Sequence, residues 1–163
     1  MIIEKADYPD LASILDLVNE GYEFTVFVHA NAVDSLEQAA KERNQDPDQI
    51  VRSLIFRLAS DSFAMVLVAG PKQIPWKSLR SYFDQRRLTL ASPEEVLMVS
   101  GYKVGTVSPF GLASKIPQFI DESVFQSNQI SMGSGKSGTA LIMESTEFIR
   151  ALPDARTVAL FGN

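Results

Sequence analysis

Within residues 10–21, DLASILDLVNEG, apolar side chains fall at Leu11, Ile14, Leu15 and Val18. That spacing makes one face of a helix, which Gly21 is placed to end. YEFTVFVHA follows, rich in aromatic and β-branched residues, and predicts a strand. SLEQAAKERN returns to a helical pattern, with Ser35 as N-cap and Gln38 three residues on. DPDQIVRSLIFRLA turns at Asp46-Pro47 and enters an apolar strand; SFAMVLVAG reads as its neighbour through a hairpin at Ser60-Asp61. PWKSLRSYF predicts a helix with Pro75 at its start, and SPEEVLMVSG a second one, boxed by Ser92 and Glu95 and ended by Gly101. QFIDES, NQISMG and TALIM read as short strands, and STEFIRAL as a closing helix before Pro153. Strands and helices intermix, and several connections are too short for parallel crossovers, so the expected class is α+β with a mixed sheet.

At 163 residues, without repeats or a Pro/Gly-rich linker, residues 1–163 are expected to form a single domain. There is no cysteine, which excludes disulfides, zinc–thiolate sites and thiol nucleophiles. The N-terminus lacks a signal-peptide pattern, and the longest apolar run, FAMVLVAG, is far shorter than the ~20 residues of a membrane span. A cytoplasmic protein with no membrane partner is expected. The net charge is −5 and by itself argues against non-specific nucleic-acid binding, and no DNA partner is expected. Residues 1–48 hold 11 acids and 3 bases, whereas residues 49–163 hold 9 and 12. Lys72, Lys77, Arg80, Arg86 and Arg87 lie within sixteen residues. They form either a solvated helix surface or a local face for a polyanion.

The octet SMGSGKSG, residues 131–138, invites a phosphate-loop reading. A Walker loop needs glycine five residues before Gly135, where Ile130 stands, and a helix afterwards, where TALIM reads as a strand. A glycine-rich hairpin turn is expected instead, offering Lys136 and a few amides to at most one anion. The lone His29 cannot build a metal site and reads as a packed, hydrogen-bonded imidazole. No G-x-S-x-G elbow is present, and the acid pairs Glu94-Glu95 and Asp121-Glu122 are adjacent in sequence, so neither pair faces a common substrate. SGYKVGTVSPFG gathers Gly101, Gly105, Ser108, Pro109 and Gly111 within twelve residues. A proline-stiffened loop with uncovered amides can polarise a carbonyl; it can equally be a structural turn.

These residues resemble the signature loop of the YbaK/ProX group of aminoacyl-tRNA deacylases, related to the editing domain inserted in bacterial prolyl-tRNA synthetases. The group's G-x-x-x-P element falls on Gly105 to Pro109. VHANAVDSLEQAA, DQIVRSLIF, FIDES and ISMGSGKSGTALIM match further pieces in order, over roughly residues 22–150. The resemblance implies a mixed, strongly curved, partly barrel-like β-sheet flanked by helices. It also implies a trans-editing hydrolase that cleaves the aminoacyl ester at the 3′-terminal adenosine of mischarged aminoacyl-tRNA, without cofactor or metal. Arg52, Gly105 and Ser108 are the implied catalytic positions. His29, Ser53, Thr106, Val107, Pro109, Gly133, Ser134 and Lys136 are the implied substrate-binding ones. Prolyl-tRNA synthetase is an implied associate. Two positions depart from the group: Arg52 replaces a lysine, exchanging a compact ammonium for a planar fork, and Gly133 replaces a serine. Those departures open a second reading, a non-catalytic module on the same fold that binds tRNA 3′ ends, aminoacyl-adenosine or a protein.

Overall fold

The computed structural model describes residues 1–8 and 10–161. One sheet holds β1 (Ile2–Ile3), β2 (Thr25–Val28), β7 (Gln129–Gly133) and β8 (Thr139–Glu144) in the order β1-β2-β8-β7, all antiparallel. The other holds β3 (Val51–Arg57), β4 (Phe63–Ala69), β5 (Thr89–Leu90), β6 (Gln118–Asp121) and β9 (Arg156–Val158) in the order β5-β3-β4-β6-β9. Its β4–β6 and β6–β9 pairs are parallel, so the sheet is mixed. The helices are α1 (Ala12–Glu20), α2 (Leu36–Glu42), α3 (Trp76–Phe83), α4 (Pro93–Ser100) and α5 (Ser145–Arg150).

The α+β class with a mixed sheet is as expected. Two sheets face each other, and no barrel closes among the described residues. A parallel bridge, Ile50 to Ser131, links them. Side chains from both inner faces fill the main core, among them Val26, Met132 and Leu141 from one sheet and Val51, Ile55, Met65 and Leu67 from the other. Strand β4 alternates between two cores. Met65 and Leu67 point into the main one, and Val66 and Val68 into a second core covered by Leu79, Trp76 and Phe83 of α3. Burial on both faces explains why SFAMVLVAG is nearly continuous in apolar residues.

The caps follow the sequence closely. Ser92 and Glu95 close a reciprocal box, and Gly21 and Gly101 end their helices in the left-handed region at φ 79° and 81°. Two details differ. Helix α1 buries Ser13, Ile14 and Leu17, while Leu15 and Val18 are exposed. The Ser13 hydroxyl donates to Ser134 O, and Gly111 packs on the Ala12 carbonyl, which together rotate the contact face. Gln38 does not close a box with Ser35. Its amide oxygen accepts from Asp34 N–H, and its NH₂ reaches Glu42 at 2.9 Å. Strands β1, β5 and β9 are two or three residues long, too short to carry a period.

Candidate functional site

A cleft of about 830 Å³ opens where the two sheets part. Its walls come from β3, the loop at 104–107, the end of β7, the β7–β8 turn and the segment after β2. That turn is the octet: β7 and β8 form a hairpin, with Gly135 and Gly138 at φ 96° and 73°.

The loop after α4 is held from several sides. Tyr102 Oη donates to Phe110 O at 2.5 Å, Gln118 Nε2 to Pro109 O at 2.9 Å, and Thr106 N and Oγ1 both to Lys103 O. Burial pushes the Tyr102 hydroxyl up to about 12, so it remains a donor at any ordinary pH. Gly135 N–H donates to Thr106 O at 2.7 Å and ties the loop to the hairpin turn. Gly105 sits at φ 88° with open space around its Cα. The amides of Gly105 and Val107 meet no protein acceptor among the described residues. A braced loop with two free N–H groups on a cleft wall is suited to polarising a carbonyl.

Opposite stands β3. Arg52 Nη2 donates to Lys72 O at 2.6 Å, which fixes the fork, while its Nε is buried without a partner among the described residues. Burial also lowers the Arg52 pKa. The neighbouring Ser53 Oγ is buried and unpartnered as well. A buried polar atom left unmatched costs about 1–3 kcal/mol. Successive strand residues face opposite sides of a sheet: Ser53 shares the main-core face of β3 with Val51 and Ile55, and Arg52 the second-core face with Leu54 and Phe56, so the two unmatched atoms sit on opposite faces of the strand.

His29 lines the cleft but has no ring nitrogen to offer. Arg43 Nε donates to its Nε2 at 3.1 Å, so the ring proton lies on Nδ1 and is donated to Glu42, also at 3.1 Å. Arg43 Nη1 continues to Ser131 Oγ at 2.9 Å, and that hydroxyl donates to Gln45. Burial brings the Arg43 pKa down to about 10. The hydrogen bond from His29 holds the Glu42 carboxyl below its ordinary value. The network therefore supports folding fully above the ordinary Glu42 pKa, and that support fades as acid protonates the carboxylate. Arg43→Ala is expected to lower unfolding free energy by about 2 kcal/mol in urea titrations. Arg43→Lys does not restore it, because an ammonium cannot span both acceptors.

Of the residues singled out in the sequence, His29, Arg52, Ser53, Gly105, Thr106, Val107, Gly133 and Lys136 line the cleft together. Ser108, Pro109 and Ser134 do not; they are buried behind its wall. Ser108 Oγ accepts from Phe110 N–H at 3.3 Å, and Ser134 Oγ donates to Thr139 O at 2.9 Å, so both shape turns. Lys136 holds its ammonium 5.6 Å from the Tyr8 ring centre. The Glu42–Arg43 arm was missed, although Arg43 is one of only three bases among the first 48 residues.

A family model described as the aminoacyl-tRNA editing domain matches residues 30–151. The proline–tRNA ligase of Kosmotoga olearia is 29% identical over 135 residues, covering 83% of this chain and 23% of the ligase. The chain thus spans less than a quarter of that relative. The uncharacterized protein YwhH of Bacillus subtilis is 30% identical over 129 residues, covering 79% of this chain and 80% of YwhH. Among solved structures, a candidate trans-editing enzyme for prolyl tRNA synthetase aligns over 100% of both chains with a TM-score of 0.84 at 21% identity. The hypothetical protein APE2540 aligns over 94% of this chain and 97% of its own at a TM-score of 0.78 and 20% identity.

Proposed function

Because this chain belongs to the aminoacyl-tRNA editing domain family, we propose that it is a trans-editing hydrolase. It cleaves the ester joining a wrong amino acid to the 3′-terminal adenosine of tRNA. The observation that supports this reading is the cleft whose lining brings Arg52 and Ser53, the latter with its unpartnered hydroxyl, together with the loop whose Gly105 and Val107 amides meet no acceptor among the described residues. Water adds to the ester carbonyl while the two amides take up the charge growing on its oxygen. The bond to the ribose oxygen then breaks, the ribose oxygen takes a proton, and the amino acid leaves as a carboxylate. The Arg52 guanidinium holds the terminal phosphate. The substrate's neighbouring ribose hydroxyl takes part in moving the proton. Ser108 acts through the loop, since its hydroxyl is turned to the Phe110 amide. An aminoacyl-tRNA substrate puts the protein in the cytoplasm, and kinship with proline–tRNA ligases supports an association with prolyl-tRNA synthetase.

The test is a deacylation panel of alanyl-, cysteinyl- and seryl-tRNA carrying the wrong anticodon. At least one ester is expected to decay tenfold or more faster with the protein than without it. Spontaneous rates throughout would overturn the hydrolase. One observation favours a second reading, a binding module: both His29 nitrogens are engaged, leaving the cleft no imidazole base. That module would retain mischarged tRNA on a filter and leave every ester intact.

A further inference from the structure

The hydrogen-bond parity of β3 singles out one residue. Gly70 N–H donates to Ile50 O at 2.9 Å, and Leu58 N–H to Ser62 O at 2.8 Å. In an antiparallel pair, residues alternate between exchanging both main-chain bonds with the partner and turning both away. Residues 50, 52, 54, 56 and 58 therefore face β4, and residues 51, 53, 55 and 57 face outward. Outward groups are met at both ends: Ala91 N–H donates to Ile55 O at 2.9 Å, Arg57 pairs with Thr89 of β5, and the Ile50–Ser131 bridge covers the Val51 end. Between them Ser53, which lines the cleft, turns its N–H and C=O away from β4, and no strand pairs with it on that side among the described residues; its own hydroxyl is unpartnered as well.

Resting on the editing reading above, we infer that Ser53 recognises the amino-acid backbone of the substrate by pairing with it as one residue of an antiparallel strand. An aminoacyl ester carries an amino group and a carbonyl on the two sides of one α-carbon, as a strand residue does. Ser53 N–H donates to the ester carbonyl, and Ser53 C=O accepts from the α-amino group. One residue can exchange both bonds with a single partner only in the antiparallel sense. The fit therefore fixes the direction of the substrate and asks for a free amine. An L-side chain then lies on the same face of the sheet as the Ser53 side chain, where a small serine leaves room. Selection for an α-amino acid thus comes from main chain, and selection among side chains from the cavity beyond it.

The probe is 3′-(L-alanylamino)-3′-deoxyadenosine, an amide in place of the labile ester, added to ¹⁵N-labelled protein. Alanine's methyl is the smallest chiral side chain, so cavity size does not decide the outcome. The Ser53 amide resonance is expected to move downfield, and to stay in place with the N-acetylated probe or with adenosine alone. Ser53→Pro deletes an N–H that β4 does not use, a position where a strand tolerates proline. It is expected to bind the probe about tenfold more weakly, the worth of one hydrogen bond. Ser53→Ala keeps the N–H and the shift. If the probe moves the Gly105 and Val107 amides but not Ser53, the inference falls and the editing reading stands. An equal shift with adenosine alone overturns it in favour of base recognition. No shift anywhere in the cleft overturns both.

Discussion

Arg52→Ala is expected to slow deacylation about a hundredfold, the scale of losing one preorganised electrostatic contact in a cleft. Arg52 is half-buried on β3, and its fork is anchored by Lys72 O at 2.6 Å. Its Nε has no partner among the described residues, and burial works against the charge. A bound phosphate removes both penalties at once, so the favourable interaction arises mainly with substrate present. Much of the loss should then appear in KM and shrink as salt rises, because a cation–phosphate contact releases counterions. Arg52→Lys retains the rate: the resemblance puts an ammonium at this place, and the charge is kept. Full activity in the alanine variant would remove Arg52 from the site. A salt-independent loss would reduce it to a strut for the Lys72 turn.

What the sequence made readable was local. The Ser92–Glu95 box, the glycine stops and the 60–61 hairpin depend on neighbouring residues, and those elements formed where they were expected. The resemblance over residues 22–150 likewise brought eight cleft residues together. What escaped depends on partners distant in sequence. The exposure of Leu15 and Val18 follows from Ser134 and Gly111 gripping the far side of α1. The engagement of His29 follows from Arg43 and Glu42, fourteen and thirteen residues away, folding back onto β2. Ser108 reads as a hydroxyl beside a proline in a ligand loop. Only its burial, with its oxygen turned to Phe110 N–H, shows that it shapes the loop from behind. The outward parity of Ser53 needs the register of β3 on β4 and the early end of β5, and no single-strand pattern carries either.

Gly133→Ser would put back the hydroxyl that the resemblance places there, and it is expected to damage the protein. The cause is space rather than backbone angle, since Gly133 is absent from the positive-φ glycines. A Cβ there would collide with Val107 O and lie 2.9 Å from Thr106 O. Both neighbours are main chain of a loop already held by Tyr102, Gln118 and Gly135, so neither can rotate aside as a side chain would. The loop must move bodily. Overpacking of this kind costs about 1–3 kcal/mol, measurable as a lower urea midpoint. The same displacement shifts the Gly105 and Val107 amides from the carbonyl they serve, and a shift near 1 Å is worth about a hundredfold in rate. Gly105→Ala separates the two effects. Its Cβ meets nothing within 4 Å and only the φ of 88° is unfavourable, so stability should fall by about 1 kcal/mol. The serine variant's loss should fall on kcat, with KM nearly unchanged, because Arg52 still holds the phosphate. If Gly133→Ser is as stable and as fast as the parent, the loop does not rest on β7 in the way that positions its amides, and the role given to Gly105 and Val107 fails with it.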